Sequence, residues 1–278
     1  MRMIHDNKQR ELTQLLRNPL FSQLTDFLYE NQNVTLRQLT QQFSEKGFIK
    51  FLESCIEAGL ILREERRYRL GLPVFTGSDY QEVVTHTQKT LLEGFETYSL
   101  ADICQWYQQQ FYQIPESFAA YFIANDVNLA QVNKVSNEKL AIWSVNTQGF
   151  NSRDLPGYFE ANRQLLEPAA FSQLRRLVGD VDEEYFLGQV GWIISRVLRG
   201  KQPRASIFLT ALCQTEVLSK DVNNTYQLKI PCLSENNLVW ETKNNKFSTS
   251  KSHFSAVSLY SEVCQKYCSG FLEWVLIK

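Results

Sequence analysis

Apolar residues recur along this chain at two spacings, and the switches between them mark out its elements. Asn18-Pro19 pairs a helix-capping residue with a proline suited to the first helical position. Phe21, Leu24 and Leu28 follow at helical spacing, so a helix is expected over residues 19–30. Residues 1–17 read as a short lead-in helix. Asn31-Gln32-Asn33 ends the second helix. Thr35 and Gln38 have the spacing of a capping box, and Leu36, Leu39 and Phe43 line the helix it opens. Phe48, Leu52, Ile56 and Leu60 then recur every four residues, with Ile49 and Cys55 beside them. They give a third helix a broad apolar face that closes near Gly59. Here the period drops to two. Leu60-Ile61-Leu62 and Arg67-Tyr68-Arg69-Leu70 flank the polar turn Glu64-Glu65-Arg66, and Gly71-Leu72-Pro73 closes a predicted β-hairpin.

Beyond a linker-like stretch, Thr76 to Asp79, the pattern is again helical. Tyr80, Val84, Thr87, Leu91, Phe95 and Tyr98 share one face. Ser99 caps a helix from Leu100 to Phe111, and Pro115 is expected to open another carrying Phe118, Tyr121 and Phe122. Leu140 to Val145 reads as a strand. Pro168 starts a helix, and Gly179 to Asp182 is a break with capping residues. A long apolar helix follows over Glu184 to Arg199, with Gly200 as its stop. Leu238 to Trp240 is a short apolar run before a polar loop. A terminal helix is expected from Phe254 to Lys278, with Val257, Tyr260, Val263, Tyr267, Phe271 and Trp274 as an aromatic stripe.

One pattern occurs twice. Phe51-Leu52 corresponds to Phe208-Leu209, and Leu60 to Val217 nine residues later in each copy. Tyr68-x-Leu70-x-Leu72-Pro73 corresponds to Tyr226-x-Leu228-x-Ile230-Pro231, with one residue inserted at the second turn beside Asn223-Asn224. The shared positions are core positions, so the repeat speaks to fold and not to activity.

Three helices followed by a hairpin, carried by TLRQLTQQF, FIKFLESCIEAGLILREE and RRYRLGLP, resemble the winged helix-turn-helix superfamily over residues 15–75. The longer passages GLILREERRYRLGLP and LVGDVDEEYFLGQVGWIISRVLRGKQPRASIFLTALCQTEVL resemble a bacterial family of unknown function, which implies no activity. The expected fold is mostly α with small β-hairpins (α+β). It has a winged-helix-like domain at 1–75, a helical middle segment at 76–157, and a helical domain at 158–278 embedding a second winged-helix-like unit.

Composition narrows the chemistry. The 278 residues are 44% hydrophobic and 21% charged, a globular balance that excludes a mostly disordered chain. No run of 18 apolar residues exists, and the start of the chain is polar, so a membrane span and a secretory signal are not expected and the chain reads as cytoplasmic. Six cysteines include no Cys-x-x-Cys pair. Cys264 and Cys268 have i,i+4 spacing but no further ligand near in sequence, so they read as buried thiols and no metal is expected. His5, His86 and His253 lack a nucleophile partner, and phosphate-cradling and nucleophile-elbow motifs are absent. The acidic run Asp180, Asp182, Glu183, Glu184 is explained by helix capping. No catalytic residue and no cofactor are expected.

The remaining candidates are interaction surfaces. The net charge is −1 overall, but residues 1–75 hold 11 basic and 9 acidic residues, whereas 76–157 hold 4 and 9. A winged helix reads double-stranded DNA with a helix in the major groove and the hairpin on the backbone. Lys46 and Lys50 stand at the start of the candidate reading helix, diluted by Glu45, Glu53 and Glu57. Arg63, Arg66, Arg67 and Arg69 stand on the hairpin. A second cluster, Arg196, Arg199, Lys201 and Arg204, is uninterrupted by acid, with Arg175 and Arg176 nearby in sequence. These residues point to a DNA-binding transcriptional regulator. The alternative is a protein-interaction or scaffold module of tandem winged helices, with a protein partner or a homodimer through the aromatic terminal helix.

Overall fold

The computed structural model describes residues 1–5, 10–111, 119–235 and 249–278. Pro115, Phe118 and the run Leu238 to Trp240 lie outside the described residues, as do the side chains of His86, Thr87 and Leu91. In chain order the elements are β1 (Arg2–Ile4), α1 (Arg10–Arg17), α2 (Pro19–Glu30), β2 (Val34–Thr35), α3 (Leu36–Gln42), α4 (Phe48–Glu57), β3 (Ile61–Glu64), β4 (Arg67–Leu70), β5 (Val74–Phe75), α5 (Gly77–Leu91) and α6 (Leu100–Phe111). They continue with β6 (Tyr121–Ile123), β7 (Gln131–Ser136), β8 (Leu140–Asn146), α7 (Leu155–Arg163), α8 (Ser172–Val178), α9 (Glu183–Leu198), α10 (Ile207–Gln214), β9 (Leu218–Lys220), β10 (Tyr226–Leu228), β11 (Cys232–Ser234), α11 (Ser250–Tyr267) and β12 (Phe271–Ile277). The protein is mixed α and β, about 50% helical and 19% strand, with small sheets. Its chain forms two compact units. One comprises Met1–Val83, Ile114–Asn128 and Asn245–Ala256; the other comprises Val84–Gln113, Leu129–Asn244 and Val257–Lys278.

In the first unit local signals act as read. The Asn18 side chain accepts from Leu20 N at 3.0 Å and Pro19 opens α2. Thr35 and Gln38 close a capping box at α3. Leu24, Leu39, Leu52, Cys55 and Ile61 are fully buried, with Phe43 stacked on Phe48 at 4.9 Å. Strands β2, β4 and β3 form one sheet, with Val34 opposite Tyr68 and Glu64 opposite Arg67. Thr76 to Asp79, expected as a linker, is a helix start: Thr76 N and Oγ1 both donate to Asp79 Oδ2 at 2.7 Å.

The two-residue turn between β3 and β4 places Glu65 and Arg66 at φ +49° and +62°. That conformation favours Asn and Gly, and each side chain here bears a steric cost of roughly 1–2 kcal/mol. Glu65→Asn with Arg66→Gly is therefore expected to stabilise the unit by about 1 kcal/mol, after the entropy cost of glycine. Urea unfolding checks this, and a lowered midpoint would contradict the turn assignment.

Two expectations fail in this unit for one reason, long-range pairing. The start of the chain is not all helix, because Arg2–Ile4 runs antiparallel to Tyr121–Ile123. Tyr121 and Phe122 therefore sit on a strand and not on a helix, both fully buried, with Phe122 against Phe21. His253 packs against Tyr121. It lies in the first turns of α11, buried, 3.0 Å from the Tyr121 hydroxyl through Nδ1, and burial lowers its pKa to about 4, so the ring is neutral at pH 7.

The second unit is built on the sheet order β11-β12-β8-β7. One face carries Val135, Leu140, Ile142 and Val275 into a core with Tyr158, Phe186, Leu187, Val190 and Leu212 from the helices. The opposite face carries Trp143 and Trp274, cross-strand partners whose rings are parallel within 3° at 6.1 Å. Tyr107 and Phe111 of α6 stack beside them, and Tyr260 of α11 meets Phe111 edge-on. The terminal aromatic stripe is thus split between two elements. α11 stops at Tyr267, Ser269 and Gly270 adopt φ +53° and +82°, and Phe271–Ile277 joins the sheet. Val257, Tyr260, Val263 and Trp274 are buried, and Tyr267 and Phe271 are half-buried.

The repeated pattern has matching local geometry. In the first copy Gly71 N donates to Leu60 O and Phe122 N to Pro73 O; in the second Lys229 N donates to Val217 O and Val275 N to Pro231 O, all at 2.8–2.9 Å. After each hairpin the chain passes a proline and enters a strand, β5 or β11, that pairs in parallel with a much later one, β6 or β12.

Candidate nucleic-acid interface

The basic residues picked out in the sequence do not form one surface. Lys46 lies in the turn before α4 and Lys50 on its first turn, both exposed. The same helix shows Ile49, Glu53 and Glu57 to solvent, and two carboxylates there oppose a phosphate backbone. On the hairpin, strand alternation splits the arginines. Arg67 and Arg69 share one face, whereas Arg63 lies opposite Tyr68 and its guanidinium stands 5.7 Å from that ring. Arg69 is engaged by Glu64 at 3.1 Å, and Arg67 donates to Asn33 O at 3.3 Å. Among the described residues Arg63 and Arg66 make no ion pair.

The second cluster is better placed. α9 begins at Asp182, whose side chain accepts from Tyr185 N, which accounts for part of the acidic run. It ends where Gly200 takes φ +66°. Arg196 is committed locally: Nε and Nη2 both donate to Gln202 O, at 3.2 and 3.0 Å, and the guanidinium lies 4.8 Å over the Trp192 ring. Arg199, Lys201 and Arg204 follow on the helix end and the irregular segment before Ser206, and all three are exposed. No acidic residue occurs between Glu184 and Glu216. Ser206 then caps α10 by accepting from Leu209 N. Arg175 donates to Leu166 O and borders a separate cleft of about 570 Å³ that Phe159, Leu165, Leu166 and Val181 also line.

Trp192 was not among the residues singled out from the sequence, yet it is 49% exposed and flanked by the cationic cluster. The signal was legible in retrospect: Trp192, Arg196 and Arg199 follow at four- and three-residue spacing, on one helical face.

Several titratable groups elsewhere are buried. Asp154 is 2% exposed at the start of α7, where it accepts from Ser144 Oγ at 2.6 Å, Gly157 N at 2.7 Å, and the Asn133 and Asn146 amides at 3.3 Å. Burial raises its pKa against those hydrogen bonds. Glu273 on β12, cross-strand from Ser144, is 3% exposed. Its Oε1 accepts from Leu155 N, and its Oε2 has no hydrogen-bond partner. Burial, then the charge of Asp154, holds its carboxyl well above the usual range. Burial also pushes the Cys55 and Cys264 thiols up to about 12 and Cys268 to about 11, and the Cys264 thiol donates to Val145 O. Among the described residues no group of three or more His, Cys, Asp or Glu side chains is arranged to hold a metal ion, and no helix is long and apolar enough to cross a membrane.

The class this architecture defines is a mixed α and β protein of two units with an exposed cationic segment. Residues 1–101 match the model of a family described as Domain of unknown function (DUF1803). No curated protein and no solved structure matches the chain.

Proposed function

We propose that the protein is a non-enzymatic nucleic-acid-binding protein with a regulatory role, built on two winged-helix-like units within residues 1–75 and 158–235. The element order supports the winged-helix reading of each: α2, α3 and α4 in the first, and α8, α9 and α10 in the second, are followed by a two-stranded hairpin and a short strand. The observation that carries the binding is the exposed Arg199, Lys201 and Arg204 segment, in a stretch of chain free of acid. Each phosphate it neutralises releases counterions, so binding falls as salt rises. Arg63 and Arg66 of the first hairpin are a further backbone contact.

Titration into labelled random-sequence oligonucleotides, duplex and single-stranded, at rising salt tests this. The triple variant Arg199→Ala, Lys201→Ala, Arg204→Ala is expected to weaken binding across all sequences and to reduce the salt slope by about 2–3, near 0.9 per lost contact. Absence of binding at low salt would overturn the proposal. The observation favouring a protein partner instead is the α4 face, where Ile49 is 46% exposed beside Glu53 and Glu57. An Ile49→Asp variant that loses a captured partner while nucleic acid is not bound would favour that reading.

A further inference from the structure

We infer that the face of α9 takes single-stranded nucleic acid, with Trp192 as the platform on which an unpaired base stacks. This rests on the nucleic-acid reading above and adds the class of ligand. Four observations support it. First, Trp192 presents a large aromatic surface to water, 49% exposed, and it is held from one side. The Arg196 guanidinium lies over its ring, and two hydrogen bonds to Gln202 O hold that guanidinium in turn. A base stacking on this indole meets a side chain the guanidinium already holds, at little ordering cost, because indole rings and arginine planes both accept unpaired bases.

Second, the charge needed for the backbone lies beside the platform. Arg199 is seven residues from Trp192, on the order of 10 Å along the helix at 1.5 Å per residue. Lys201 and Arg204 continue beyond it, exposed. Third, the acid-free stretch spans both the platform and the cations, so a polyanion meets no local carboxylate in sequence.

Fourth, the helix that would enter a major groove is unsuited to reading a duplex. α10 has the sequence IFLTALCQ and exposes Ile207 and Thr210. It has no arginine, lysine or asparagine, and its glutamine is at the far end from the helix start, where base edges are read. In a duplex the bases are stacked on one another and an indole has no face to engage. In a single strand every base offers one.

The experiment is fluorescence anisotropy of the full chain with fluorescein-labelled oligothymidylate, oligouridylate and a mixed-sequence duplex of equal length, at low and moderate salt. The expected result is tighter binding of the single strands than of the duplex. Trp192→Ala should weaken single-strand binding by about 5- to 150-fold, the span of one lost base stack. It should leave the salt slope unchanged, whereas the triple basic variant lowers that slope. Trp192→Phe should recover part of the loss, and unchanged melting curves establish that the variants fold. A duplex bound as tightly as the single strands, with no effect of Trp192→Ala, would overturn this inference and leave the broader nucleic-acid reading standing. No binding of any probe at low salt would overturn both.

Discussion

Replacing Trp274 with alanine is expected to cost the second unit about 3–5 kcal/mol, lowering its melting temperature by roughly 6–20 °C. Trp274 is fully buried at the centre of an aromatic cluster. It lies parallel to Trp143, Tyr107 and Phe111 at 6.0–6.1 Å. Its indole N–H also donates to Gln108 Oε1 at 3.2 Å, and Gln108 is itself buried. The substitution therefore opens a large cavity and strands a polar side chain, and two losses of this kind add. Trp274→Phe should retain much of the packing while still losing the hydrogen bond. Differential scanning calorimetry separates the variants. A Trp274→Ala shift of under a few degrees would contradict the placement of the terminal residues in the sheet.

The second large effect is expected at the buried carboxyl pair. Asp154→Ala removes the cap of α7 and leaves the Ser144 hydroxyl and the Asn133 amide without their acceptor, a net cost of about 2–4 kcal/mol. The pair also sets a pH dependence whose sign follows from its environment. Glu273 has a folded pKa raised well above its ordinary 4.5, by burial and then by Asp154. Its contribution to stability is thus fully present below pH 4.5 and is lost as pH rises through the folded value. Asp154, also raised, contributes with the same sign. The charged groups facing Glu273 are Asp154, which raises its pKa, and Arg153, which lowers it. The difference in melting temperature between Glu273→Gln and the parent protein is expected to grow as pH is taken from about 5 to 8, because the amide has no proton to lose. A difference that stays constant over that range would show that Glu273 is not the proton holder.

The candidate interface was half legible in the sequence. Arg199, Lys201 and Arg204 could be chosen from their acid-free neighbourhood alone, and they are exposed. Arg196 and Arg69 looked equivalent to them in sequence, but one is tied to Gln202 O and Trp192 and the other to Glu64. Net charge along the chain does not reveal such engagements, because they depend on which carbonyl or carboxylate the fold brings within 3 to 4 Å. Trp192 was overlooked because a tryptophan on an amphipathic helix is read first as core. Only its position on the outer face of α9 makes it a surface residue.

By itself the sequence determined what is local. The caps at Asn18, Thr35, Ser99 and Asp182, the helices they open, and both hairpins of the repeat depend on neighbours within about one helical turn or across a short loop, and side-chain type and spacing specify these directly. Tertiary structure alone decided the distant pairings. Arg2–Ile4 and Tyr121–Ile123 are short, and nothing in either predicts the other. Phe271–Ile277 has six apolar residues around one acid and is buried on both faces, so it shows no alternation and continues the helical period of α11 by coincidence of spacing. Its strand state comes from the left-handed residues Ser269 and Gly270 and from the hydrogen bonds β8 and β11 supply on either side. A buried strand is specified by partners that provide its backbone bonds, and those partners lie far away in the chain.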